Sequence, residues 1–110
     1  MENNKLTTIH FGNIPKNILK FISYQGKNSK HFNSLDKLKK YFLINSIDVC
    51  IFIDNEISKS DQKIIINTNS NTSFIILCKN KTKLSKNRIY RLNTSLINNK
   101  KLLIRLVFKR

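Results

Sequence analysis

Two short apolar runs constrain this chain more than any other feature. Val49-Cys50-Ile51-Phe52-Ile53 lies between Asp48 and Asp54, and Phe74-Ile75-Ile76-Leu77 lies between Ser73 and Cys78. A strand with one wet face alternates apolar and polar residues, and these runs do not alternate. They are also too short for ordinary helices. They therefore predict strands covered on both faces, the pattern of a parallel sheet with helices above and below it. Strands that alternate with helices imply right-handed crossovers and a central α/β sheet.

The rest of the chain supplies matching elements. Lys5 to Phe11 predicts a first strand, with Thr7, Thr8 and Ile9 suited to a pleated surface. Gly12 and Asn13 punctuate, and Pro15 stands where a helix begins, since the first turn does not need its missing N–H. Ile14, Ile18, Phe21 and Ile22 follow at helical spacing, and Gly26 suits the end of that helix. A short second strand is expected around Lys30 to Phe32. Ser34 predicts an N-cap, with Asp36 favourable in the first turn and Leu35, Leu38 and Phe42 on one face. Ser58 or Ser60 caps a third helix reaching about Asn67, with Ile57, Ile64 and Ile65 inward, unless Ile64 to Ile66 form a strand. Lys79 to Asn87 is expected to be irregular, Arg88 to Leu92 a short edge strand, and Asn98 to Lys109 a closing helix. That helix would turn Leu102, Leu103, Leu106 and Val107 inward.

At 110 residues the chain is expected to form one domain, residues 1–110, with a small core. No apolar run approaches the length of a membrane span. Met1 to Leu6 carries no long apolar stretch, so the expectation is a cytoplasmic protein in a reducing compartment. Cys50 and Cys78 then read as buried small hydrophobes, although neighbouring strands would let them pair. With His10 and His31 they give no metal-ligand spacing, and neither metal nor cofactor is expected. Each histidine reads as an ordinary strand or loop residue.

The order of elements resembles a response-regulator receiver domain, whose flavodoxin-like sheet has strand order 2-1-3-4-5. The helix Leu35-Asp36-Lys37-Leu38-Lys39-Lys40-Tyr41-Phe42 feeds through Ile47-Asp48 into a strand ending at Asp54, where receivers carry the phosphoacceptor. Ile89-Tyr90-Arg91-Leu92 and the Leu-Leu-x-x-Leu spacing of the last segment match a receiver's final strand and helix. The resemblance implies a single receiver-like domain with a central, mostly parallel five-stranded sheet. The short link between the fourth and fifth strands implies a shortened or missing fourth helix.

The functional positions depart from the family. Gly12 and Asn13 stand where receivers hold Mg²⁺ with paired acids, Cys78 where they have Thr or Ser, and Asn93 and Thr94 where they have Lys and Pro. Phosphoryl transfer needs a metal to offset charge on the transferring oxygens. Asp54 is therefore expected to be vestigial. Such a degenerate receiver resembles the N-terminal half of LuxR-type transcription regulators of enteric bacteria. In those a helix-turn-helix domain follows, whereas a chain ending at Arg110 is expected to carry the receiver-like half alone.

Charge points to a second class of function. Residues 1–55 hold eight lysines and four acids, residues 56–110 hold thirteen Lys or Arg and two acids, and the net charge is +15. The chain holds seventeen Ile and sixteen Asn, and an AT-rich coding sequence is expected to explain some of the Lys, Asn and Ile enrichment. Lys79, Lys81, Lys83, Lys86, Arg88 and Arg91 lie within thirteen residues, and Lys100, Lys101, Arg105, Lys109 and Arg110 follow. Such density neutralises phosphates, and Tyr90 offers one ring for stacking on a base. The run Lys86 to Arg91 is also similar to the basic motif of the bacterial ribonuclease P protein, although the surrounding strand order does not fit.

There is no Gly-rich phosphate loop, no Ser/His/Asp or Cys/His arrangement and too few acids for paired-carboxylate catalysis. The chain is not expected to be an enzyme. The leading expectation is a regulatory module that docks through its last strand and closing helix. Its partner would be a transcription factor, a sensor or a second copy, since receivers commonly dimerise through that face. The alternative is a nucleic-acid-binding protein or ribonucleoprotein component using the basic second half on DNA or RNA.

Overall fold

The computed structural model describes residues 7–16, 18–19, 28–78, 83–84 and 88–93. Six strands form one sheet: β1 (Thr7–Phe11), β2 (Asn28–Phe32), β3 (Val49–Ile53), β4 (Ser73–Cys78), β5 (Lys83–Leu84) and β6 (Ile89–Asn93). The spatial order is β2-β1-β3-β4-β6-β5. All pairs are parallel except β5 with β6. With the two-residue β5 set aside, five parallel strands stand in the flavodoxin-like order 2-1-3-4-5. Two helices are described between them, α1 (Leu35–Ile44) and α2 (Lys59–Thr68). Neither is long and apolar enough to cross a membrane.

β3 and β4 are the centre of the molecule because both of their faces are apolar. Val49, Cys50, Ile51, Phe52, Phe74, Ile75 and Ile76 are entirely shut from water. One face packs Ile9, Phe11, Cys50, Phe52, Phe74 and Ile76 against Leu38 and Phe42 of α1 and Ile65 and Ile66 of α2. The opposite face packs Val49, Ile51, Ile75 and Leu77 against Ile14 and Ile18. Those two flank Pro15, whose carbonyl accepts from the N–H of Ile18 at 3.0 Å and of Leu19 at 3.1 Å. Burying one such aliphatic side chain contributes about 1.5–3 kcal/mol.

The caps follow the sequence closely. Ser34 Oγ accepts from the Lys37 N–H at the start of α1, and Ser58, not Ser60, caps α2 by accepting from the Asp61 N–H. Asp61 also binds Lys39 Nζ at 2.9 Å, which ties α2 to α1. α2 ends at Thr68, where side chains add donors to the carbonyls of the last turn. Thr68 Oγ1 donates to Ile64 O at 2.7 Å and Asn69 Nδ2 to Ile65 O at 2.7 Å.

Three details differ from the sequence reading. Ile64 is 53% exposed, while Gln62, Ile65 and Ile66 face the sheet. Residues at i, i+3 and i+4 share a helix face, and three consecutive isoleucines cannot all do so. Second, the basic segment 79–87 is not wholly irregular. Lys83 and Leu84 pair antiparallel with Arg91 and Tyr90. The fifth parallel strand is therefore covered, and the sheet edge is β5. Third, the fifth parallel strand runs Ile89–Asn93, one residue later than expected. Nothing in a two-residue edge strand distinguishes it from loop, since it pairs through backbone. The closing helix, the segment from 20 to 27 and Lys5 lie outside the described residues.

Gly12 turns the chain at the end of β1. Its N–H donates to Phe32 O at 3.0 Å, extending the ladder to β2. Its φ is +83°, and a Cβ there would collide with the Glu56 carboxylate. Gly12→Ala is expected to destabilise the fold by about 1–2 kcal/mol in urea titration through backbone strain alone. In a Glu56→Ala background the same change costs less, because the collision is gone while the strain remains.

Candidate functional site

The C-terminal ends of the parallel strands bring together the residues that the receiver resemblance singles out. β3 ends at Ile53, and Asp54 opens a short 3-10 turn, Asp54–Glu56. One oxygen of Asp54, Oδ1, lies 3.3 Å from Lys59 Nζ, 3.1 Å from Gln62 Nε2 and 3.4 Å from Arg91 NH1. Gln62 is buried, and its amide also donates to the backbone carbonyls of Asp54 at 3.0 Å and Ile57 at 2.9 Å. Partial burial pushes the Asp54 carboxyl up, but the Gln62 hydrogen bond and the Lys59 and Arg91 cations outweigh it. They hold it below the usual carboxylate range. The carboxylate thus stays ionised and neutralised by groups from α2 and β6.

Cys78 ends the neighbouring strand, β4, and feels the same charges. Burial and then the Asp54 carboxylate push its thiol up, with Arg91 and Lys59 pulling the other way. A raised pKa makes it a poor nucleophile at neutral pH. Cys50 is fully buried, and burial pushes its thiol up as well. Cys50 pairs in register with Phe74, four residues before Cys78. At strand spacing the two cysteines lie about 13 Å apart along the sheet, beyond disulfide reach. Both are free.

Gly12 and Asn13 stand across this end of the sheet. The Asn13 N–H donates to Glu56 Oε1 at 3.0 Å, and Asn13 Nδ2 to Glu56 Oε2 at 3.3 Å. An amide pair on a carboxylate therefore occupies the place where the resemblance expects two acids. Sequence reading did not single out Glu56, whose contact with Asn13 spans forty-three positions.

Two of the basic residues have assigned positions. Arg91 reaches Asp54 from β6. Arg88 fans its guanidinium over the end of α2, with NH2 donating to Ile66 O at 2.9 Å and NH1 to Asn69 O at 3.0 Å and Thr72 O at 3.1 Å. It also stacks over the Phe74 ring. The backbone of Lys83 lies in β5. Lys79, Lys81, Lys86, Lys100, Lys101 and Arg105 lie outside the described residues, as does Thr94.

A second cluster went unrecognised in the sequence. β1 and β2 both end in His-Phe, and their parallel register sets His10 beside His31 and Phe11 beside Phe32. The repeated dipeptide is the signal that points to it. The two Nδ1 atoms are 2.7 Å apart, and His31 Nε2 lies 3.0 Å from Asn33 Oδ1. His10 is buried and His31 exposed. Burial, and next the His31 ring, pull the His10 pKa down to about 4.

Two outcomes follow from these contacts. Arg88→Ala removes three donors from partly buried carbonyls, and hydrogen bonds from a charged group are each worth about 1.5–3 kcal/mol. The variant is expected to lose at least that much stability in urea titration, with loosened amide-exchange protection at the end of α2. His10 binds its proton less readily folded than unfolded. Its contribution is complete above the unfolded pKa of 6.5 and is lost as pH falls toward about 4. Over that window stability should fall by up to about 3 kcal/mol, and the fall should be smaller in His10→Gln. No protein family, curated protein or solved structure matches this chain.

Proposed function

We propose that this chain is a non-enzymatic regulatory module with a degenerate receiver fold. It works by docking on another regulatory protein, or on a second copy of itself, in cytoplasmic control of transcription, without phosphorylation of its own. The supporting observation is the state of Asp54. Its carboxylate is already neutralised by Lys59 and Arg91 and hydrogen-bonded by Gln62. A phosphoacceptor needs that oxygen free for attack and a metal beside it to offset the incoming charge. Here protein cations stand in for the metal, and Asn13 and Glu56 satisfy each other where further metal ligands belong. Such a module holds one signalling state permanently. Its large exposed side chains Leu43 and Ile44, at the end of α1, add apolar surface for a protein partner.

Incubation with Mg²⁺ and acetyl phosphate is expected to leave the intact mass unchanged, and Asp54→Asn is expected to keep the fold. A phosphoryl adduct that Asp54→Asn removes would overturn the reading. The nucleic-acid alternative is favoured by the charge of residues 56–110 and weakened by the engagement of Arg88 and Arg91 within the fold. Fluorescence anisotropy with generic duplex DNA and RNA decides between them. No binding at about 50 mM salt supports the docking module. Tight binding with a steep salt slope, abolished by Lys83→Glu and Lys86→Glu, supports the alternative.

A further inference from the structure

The histidine pair lies outside the Asp54 cluster and has the chemistry of a ligand site. Asn33 Oδ1 accepts from His31 Nε2, and in the neutral tautomer that makes this bond His31 Nδ1 carries its lone pair toward His10. The proton between the rings then belongs to His10 Nδ1. Two imidazole nitrogens that share a proton at 2.7 Å are close to the separation at which they can share a metal ion. Bonds of about 2.0–2.1 Å from each nitrogen, at angles between square and tetrahedral, place the two nitrogens about 2.8–3.4 Å apart. The nitrogens must therefore separate by a few tenths of an ångström, and the rings must tilt so that both lone pairs converge on the ion.

The backbone holds them in position for this. His10 and His31 are register partners in adjacent parallel strands, and the Gly12 N–H to Phe32 O bond continues the ladder past them. The Asn33 contact also sets the His31 tautomer, the role an outer hydrogen bond plays at ligating histidines. In the neutral pair the ring proton of His10 moves from Nδ1 to Nε2 as the cation enters, which frees both Nδ1 lone pairs.

We propose that His10 and His31 form a two-imidazole site for a borderline divalent transition cation of the Zn²⁺ or Cu²⁺ class, with Asn33 as its positioning residue. Imidazole suits these ions and not Mg²⁺ or Ca²⁺. Among the described residues no group of three or more His, Cys, Asp or Glu is placed to hold a metal, so the pair supplies two ligands and water completes the shell. His31 is exposed, which leaves the site open to solvent on that side.

Calorimetric titration of the chelator-stripped full chain with ZnCl₂ at neutral pH is expected to show one saturable equivalent. His31→Gln, at an exposed position that the core does not need, should weaken it at least tenfold. Asn33→Ala keeps both ligands and should weaken it about tenfold, the lower end for loss of an outer-shell partner. With Cu²⁺, electron paramagnetic resonance should show coupling to two imidazole nitrogens in the parent chain and not in His31→Gln. Absence of a saturable equivalent in the parent, or binding and nitrogen coupling unchanged in His31→Gln, overturns the proposal. Circular dichroism establishes that each variant is folded before titration.

Discussion

The whole fold rests on shutting β3 and β4 from water on both sides. Neither strand has a polar face, so each surface of the sheet must be roofed. α1 and α2 roof one surface with Leu38, Phe42, Ile65 and Ile66, and the segment around Pro15 brings Ile14 and Ile18 to the other. The parallel order follows, because only crossover connections can carry the chain over the sheet and back. The connection from β4 to β6 is too short for a full helix, and an antiparallel edge strand takes its place. The strand ends then converge at one rim, where Asp54, Cys78 and Gly12 meet.

That rim is organised around charge neutralisation. Here Lys59, Gln62 and Arg91 close on Asp54, and Asn13 closes on Glu56. Each carboxylate has its partners inside the protein. The resulting rim is a structural joint between β3, α2 and β6. The side-chain exposure near one third for Asp54 and Arg91 leaves the pair partly wet, so its worth to stability is modest.

What could be read from the residues depended on whether the interaction was local. The double-sided strands, the Ser34 cap and the inward face of α1 are local patterns of spacing and polarity, and they were visible. Ile64 misled because three adjacent isoleucines fit either a strand or a helix, and only the helix phase excludes one of them from the core. β5 was hidden because its pairing uses backbone alone. For Arg88 and Arg91 a sequence shows the charge but not its partner in the fold, which for Arg91 lies thirty-seven positions away. His10 and His31 looked isolated for the same reason, since only strand register makes them neighbours.

Arg88 also carries a consequence for how the chain emerges from the ribosome. The carbonyl of Ile66 waits for a guanidinium twenty-two residues downstream. At translation rates of about 5–20 residues per second, that segment takes roughly 1–4 seconds to be made. During that interval the end of α2 must rely on Thr68 and Asn69. β4, with its bare apolar faces, is made within that interval and then has no β6 beside it. The interval closes when Arg88 and, directly after it, β6 arrive.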